Sequence, residues 1–149
     1  MLFRSDYDRA IADLNEAIRL NPRHANALNN RGLSWQGKRD LDRAINDFSA
    51  AISVNPNHGD AYYNRGIVWN DKGEYDRALA DYSEAIRVNP RDSDAYNNRG
   101  VVWRNKRDYD NAIKDYSEAL RINPQKALAL ANRAARSEEH TSELQSPCN

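Results

Sequence analysis

Four asparagines, Asn30, Asn64, Asn98 and Asn132, stand 34 residues apart, and each is followed by an arginine: Arg31, Arg65, Arg99 and Arg133. A primary amide carries a donor and an acceptor on one side chain. Stacked at one per repeat, such groups can pair with the main chain of an extended peptide, whatever its side chains. The alternative is a polar surface residue carried along by repeat duplication. Asp13, Asp47, Asp81 and Asp115 recur at the same period. Together with Arg31, Arg65 and Arg99 they suggest an Arg–Asp ladder between adjacent helices, either within a unit (Arg65–Asp81) or across units (Asp47–Arg65). Its role would be register, because exposed ion pairs contribute only about 0–1 kcal/mol; ligand binding by the arginines is the alternative.

Catalytic chemistry finds little support. His24 and His58 lie one period apart, each just after an Asn-Pro pair. They could serve as acid–base groups, but a repeated turn residue explains them better. There is no helical i, i+4 metal pair, no Gly-rich phosphate loop and no Gly-x-Ser-x-Gly elbow. Carboxylates are numerous but periodic, as on solvated helix faces. No catalytic residue, cofactor site or metal site is assigned.

These series must be held by a repeating frame. Asn21-Pro22, Asn55-Pro56, Asn89-Pro90 and Asn123-Pro124 mark it at the same 34-residue interval, the signature of a stacked array. Each proline forbids continuation of a helix. Within a unit, Leu28, Gly32 and Trp35 share one helical face, and Leu41, Ala44, Ile45, Phe48, Ala51 and Ile52 form a second stripe. The spacing predicts helices at 7–20, 25–37, 41–54, 59–72, 75–88, 93–106 and 109–122, with a stub from about 126.

The slots Leu28, Arg31, Gly32, Trp35, Ala44, Phe48 and Pro56 recur as Tyr62, Arg65, Gly66, Trp69, Ala78, Tyr82 and Pro90, and again as Tyr96, Arg99, Gly100, Trp103, Ala112, Tyr116 and Pro124. This pattern resembles the tetratricopeptide repeat over roughly residues 6–135, with arginine in place of the usual leucine before each glycine. The resemblance implies an all-α, right-handed α–α superhelix. Gly32, Gly66 and Gly100 would let the paired helix approach beside Ala44, Ala78 and Ala112, so a bulky Gly66→Leu should cost roughly 1–3 kcal/mol. Trp35, Trp69 and Trp103 would pack in the core, each indole N–H finding an acceptor.

The resemblance also implies a concave face on the first helix of each unit. The asparagine series would lie there, similar to the asparagine ladder of protein O-linked N-acetylglucosamine transferases. Neighbouring groove positions include Asn26, Asn29, Leu33 and Gln36, then Asp60, Tyr63, Ile67 and Asn70, then Asp94, Asn97, Val101 and Arg104. Leu33, Ile67 and Val101 form an apolar strip. Acidic groups slightly outnumber basic ones, which favours a neutral or mildly basic partner. The carboxylate clamp of chaperone co-factors is not matched: Asn29, Leu33, Asn64, Asp94 and Asn98 fill its positions, and only Asn64 agrees.

The chain divides into a partial repeat at 6–24 (a second helix), repeats at 25–58, 59–92 and 93–126, and a partial first helix at 127–135. Residues 1–5 and 136–149 break the pattern; Leu2-Phe3-Arg4-Ser5 and the stretch Arg136–Ser146 resemble translated sequencing adapter and are set aside from the fold. The expectation is a native stretch of 6–135, an internal fragment of a longer repeat protein. Arrays of this kind normally need polar capping repeats, so open ends should favour self-association.

Composition narrows the partners. The 149 residues carry 22 basic and 22 acidic side chains, which removes the electrostatic case for nucleic acid. No run is long and apolar enough to suggest membrane contact. The single cysteine, Cys148, lies in the terminal stretch, so compartment stays open. The expected function is a protein–protein interaction scaffold that binds an extended peptide or partner protein on its concave face. Two alternatives stand beside it: the arm of a larger enzyme such as a glycosyltransferase, and a structural self-assembly module.

Overall fold

The computed structural model describes residues 3–126, as seven α-helices: α1 (Arg4–Leu20), α2 (Ala25–Gly37), α3 (Leu41–Val54), α4 (Gly59–Asp71), α5 (Tyr75–Val88), α6 (Ser93–Asn105) and α7 (Tyr109–Ile122). They pack as consecutive antiparallel pairs, α2 with α3, α4 with α5 and α6 with α7, and each pair stacks on the next. The architecture is the all-α right-handed solenoid that the repeat implies.

Two kinds of turn make the period. Between the helices of a pair, the chain closes with a 6→1 bond: the Asp40 N–H donates to the Trp35 carbonyl at 2.9 Å, and Glu74 to Trp69 and Asp108 to Trp103 repeat it at 2.8 and 2.9 Å. This closure needs a left-handed residue. Gly73 supplies it in the middle unit with φ 75°, but Arg39 and Arg107 occupy it in the others at φ 64° and 63°. Between pairs, the side-chain oxygens of Asn21, Asn55 and Asn89 accept the N–H two residues on, at 3.1, 3.0 and 3.2 Å. The proline between them, as in Asn55-Pro56 and Asn89-Pro90, has no N–H to lose in that turn.

Helix starts are capped through side chains. The Nδ1 atoms of His24 and His58 accept the N–H groups of Ala27 and Ala61, both at 3.2 Å. Asp92 takes the equivalent place in the third unit, accepting from Ala95 at 3.1 Å. The paired histidines are thus turn residues. Asp40 and Asp108 cap α3 and α7, but Asp6, in their register, sits inside α1 and accepts the Phe3 N–H at 3.0 Å. Helix α1 therefore begins at Arg4, three residues before the expected start, because no left-handed turn precedes it to break the chain.

The core lies inside each pair and between pairs. Ala44, Ala78 and Ala112 are buried, and the Phe48 and Tyr82 rings are almost wholly enclosed. The three glycines meet those rings directly. A Cβ at Gly32 would lie 2.6 Å from Phe48, at Gly100 2.7 Å from Tyr116 and at Gly66 3.0 Å from Tyr82. Trp35, Trp69 and Trp103 differ from expectation: all are half-buried. Each packs one edge on the core, while Arg43 covers Trp35 and Arg77 covers Trp69 at 4.6 Å. Their indole N–H groups find no protein acceptor among the described residues, since an outward-facing ring can give its N–H to water.

Candidate functional site: the row of first helices

First helices touch along the stack, α2 with α4 and α4 with α6, with no comparable contact joining α3 to α5 or α5 to α7. A rod with one row of helices close and the other splayed curves toward the close row, which makes α2, α4 and α6 its inner face.

The asparagine series on that row is not uniform. Asn30 is exposed and makes no side-chain hydrogen bond among the described residues. Asn64 is buried, and its Nδ2 donates to Asn29 Oδ1 of the preceding unit at 3.1 Å. Asn98 is half-buried and donates to the Tyr63 hydroxyl at 3.0 Å. Asn132, like Arg133, lies outside the described residues. The residue 35 positions earlier supplies the acceptor for Asn64 and Asn98, and the sequence has no such position for Asn30. Each amide keeps a second N–H and carbonyl lone pairs, so Asn64 and Asn98 remain able to bond a ligand, with less freedom than Asn30.

Around them the face mixes amides with apolar area. Asn97 is half-buried, as are Ile67 and Val101; Leu33 is 41% exposed. Tyr63 packs edge-on to Tyr82, ring centres 5.9 Å apart. Burial raises the Tyr63 phenol above its usual range, and Asp94 and Asp92 push the same way. Asn26 is occupied: the Nε2–H of His58 donates to its Oδ1 at 2.9 Å, a tautomer fixed because Nδ1 already accepts at the cap. Asp94 holds Lys126 at 2.7 Å.

Behind the inner face runs a chain of ion pairs. Arg31, Arg65 and Arg99 each grip the aspartate of their own unit with two parallel bonds: Arg31–Asp47 at 2.8 and 2.7 Å, Arg65–Asp81 at 2.7 and 2.8 Å, Arg99–Asp115 at 2.8 and 2.8 Å. The carboxylate comes from within the unit, not from the neighbour. The third guanidinium nitrogen crosses to the preceding unit, to Asn15, Ser49 and Ser83, each at 3.0 Å. The aspartates are nearly enclosed, at 6–8% side-chain exposure for Asp47, Asp81 and Asp115. These hydrogen bonds hold all three guanidiniums above their already high ionisation range, against the opposing effect of burial.

A second periodic set escaped sequence reasoning. Lys38, Lys72 and Lys106 reach back to Asp8, Asp42 and Asp76 of the preceding unit, the middle pair at 2.7 Å. The signal was present as two 34-residue series offset by 30, but only the packing of successive turns shows that they meet. Among the described residues no group of three His, Cys, Asp or Glu side chains could hold a metal ion, and no helix is long and apolar enough to cross a membrane.

Comparison with known proteins agrees with this geometry. The tetratricopeptide repeat model matches residues 2–39, 36–80 and 71–127. A crystal structure of MamA is 30% identical, covers 81% of this chain and 71% of its own, and superposes with a TM-score of 0.76. A second MamA structure is 30% identical over 81% of this chain and 66% of its own, at 0.74. MamA from Desulfovibrio magneticus RS-1, at 18% identity, 81% and 68% coverage and 0.73, shares the fold. A search of curated protein sequences finds no match. Repeats of this kind are in general protein-interaction scaffolds and typically non-catalytic, and this chain belongs to the tetratricopeptide repeat family.

Proposed function

We propose that the chain grips an extended peptide segment of a partner protein along α2, α4 and α6. The carrying observation is the inner row itself. Amides at Asn30, Asn64, Asn97 and Asn98 lie beside the apolar strip of Leu33, Ile67 and Val101. Amides can bond a peptide main chain, and the strip can bury alternate side chains. With Asp94 held by Lys126, Asp60 and Arg104 balance, which favours a neutral segment. The Arg–Asp pairs serve register rather than ligand binding in this reading, because their donors are already committed.

The test is selection of a peptide from a displayed library on the full chain, followed by titration. Binding should weaken by about tenfold or more in Asn30→Ala/Asn64→Ala/Asn98→Ala, consistent with lost hydrogen bonds worth about 0.5–1.5 kcal/mol each. Undiminished binding by a variant with unchanged circular dichroism would sink the proposal.

Self-association has one observation in its favour. Tyr109, Ile113 and Leu120 on α7 are 59%, 61% and 48% exposed, while the stretch that stands in the register of α6 after α7 lies outside the described residues. Light scattering across a concentration series would show growth in mass; a constant monomer mass would dismiss it.

A further inference from the structure

At the edge of the solenoid, away from the inner row, a groove of about 560 Å³ opens beside the α2–α3 turn. Arg4, Lys38, Arg39, Arg43 and Lys72 line it with Trp35, and its only two carboxylates are Asp40 and Asp42. Those carboxylates are occupied. Asp40 accepts the Arg43 N–H at 3.1 Å and faces its side chain at 3.6 Å, and Asp42 holds Lys72 at 2.7 Å. Lys38 pairs with Asp8. Arg39 makes no side-chain hydrogen bond among the described residues, so even without Arg4, which lies in the stretch set aside above, the groove keeps uncompensated positive charge.

Two further features meet at this turn. Arg39 sits at φ 64°, where the next unit has Gly73 at 75°. An L side chain is disfavoured there, so this turn carries strain that a glycine would not. Trp35 fixes the neighbouring cations: Arg43 lies 4.6 Å and Lys38 5.4 Å from its ring centre. The third unit also has a left-handed arginine, Arg107, but Asn111 stands there in place of Arg43.

We infer that this groove docks an acidic peptide segment, distinct from whatever occupies the inner face. A planar guanidinium suits a carboxylate bidentately, and Arg39 has its donors available. A nucleic acid is the poorer fit, because the basic cluster is short and the chain as a whole is neutral.

The test uses the full chain and a labelled oligo-glutamate peptide, followed by fluorescence anisotropy at low salt. Arg39→Gly should raise the thermal midpoint by relieving the turn, yet weaken peptide binding about tenfold, the loss of one charge-assisted contact. Arg107→Gly should raise the midpoint equally and leave binding unchanged. No binding by the wild type, unchanged binding by Arg39→Gly, or equal weakening by Arg107→Gly would overturn the site. Displacement of the peptide by a short DNA duplex at equal charge concentration would overturn its assignment to acidic peptides.

Discussion

Removing one partner of the central ion pair should be far more costly than removing both. In Asp81→Leu, Arg65 loses two bonds of 2.7 and 2.8 Å while its side chain stays 21% exposed. Breaking a buried pair costs about 3–5 kcal/mol. The exposed fraction and the remaining bond to Ser49 at 3.0 Å lower that, so about 2–3 kcal/mol is expected for this variant. For an array of this size that corresponds to a melting point lower by roughly 10 °C. In Arg65→Leu/Asp81→Leu no charge is stranded, and leucine is the family's usual residue in the arginine slot. The double variant should return to within about 1 kcal/mol of wild type, or exceed it. Urea unfolding of all four members of the cycle measures the coupling. A cycle additive within about 0.5 kcal/mol would refute the idea that the pair is one unit. If the ladder also sets register, the double variant should show a broadened amide spectrum despite its recovered stability.

Gly32→Ala should destabilise by about 1 kcal/mol net, overpacking against Phe48 outweighing the gain in helix propensity, whereas Gly66→Ala, with more room before Tyr82, should be nearly neutral; denaturant midpoints distinguish them, and equal shifts would count against the ring contacts. Arg107→Gly should stabilise by about 1 kcal/mol, since only glycine adopts φ 63° freely, and a lowered melting point would contradict the turn geometry. Burial raises the Tyr82 phenol well above the ordinary tyrosine value, with the neighbouring Tyr63 adding to the effect. Its folded value exceeds its unfolded one, so the stability it lends is whole below about pH 10 and declines above. Spectrophotometric titration should show its phenolate appearing only with alkaline unfolding, and ionisation in the folded chain would show the ring to be accessible.

The repeat was legible because spacing alone specifies it. Pro22, Pro56, Pro90 and Pro124 stop helices for a local, steric reason, and Gly32, Gly66 and Gly100 alternate with rings one helix away. The Arg–Asp series could be read as a ladder from its period, but the choice of partner could not. That choice depends on how α4 rotates against α3 and α5, which brings Asp81 and Ser49 to opposite sides of Arg65. The same packing brings Asn64 to Asn29 and Asn98 to Tyr63. Asn64 and Asn98, in identical register, thus end with different partners because their neighbours at positions 29 and 63 differ. The tryptophans show the converse: a periodic aromatic suggests a core, yet Arg43 and Arg77 offer cations that cover an exposed ring face just as well.

The inner row can be examined most directly by following side-chain amide signals in NMR spectra as a selected peptide is added to the full chain. Shifts confined to α2, α4 and α6, led by Asn30 and including Asn64, Asn97 and Asn98, are the expected result. Shifts concentrated on α3, α5 and α7, with those amides unmoved, would contradict peptide binding on the concave face.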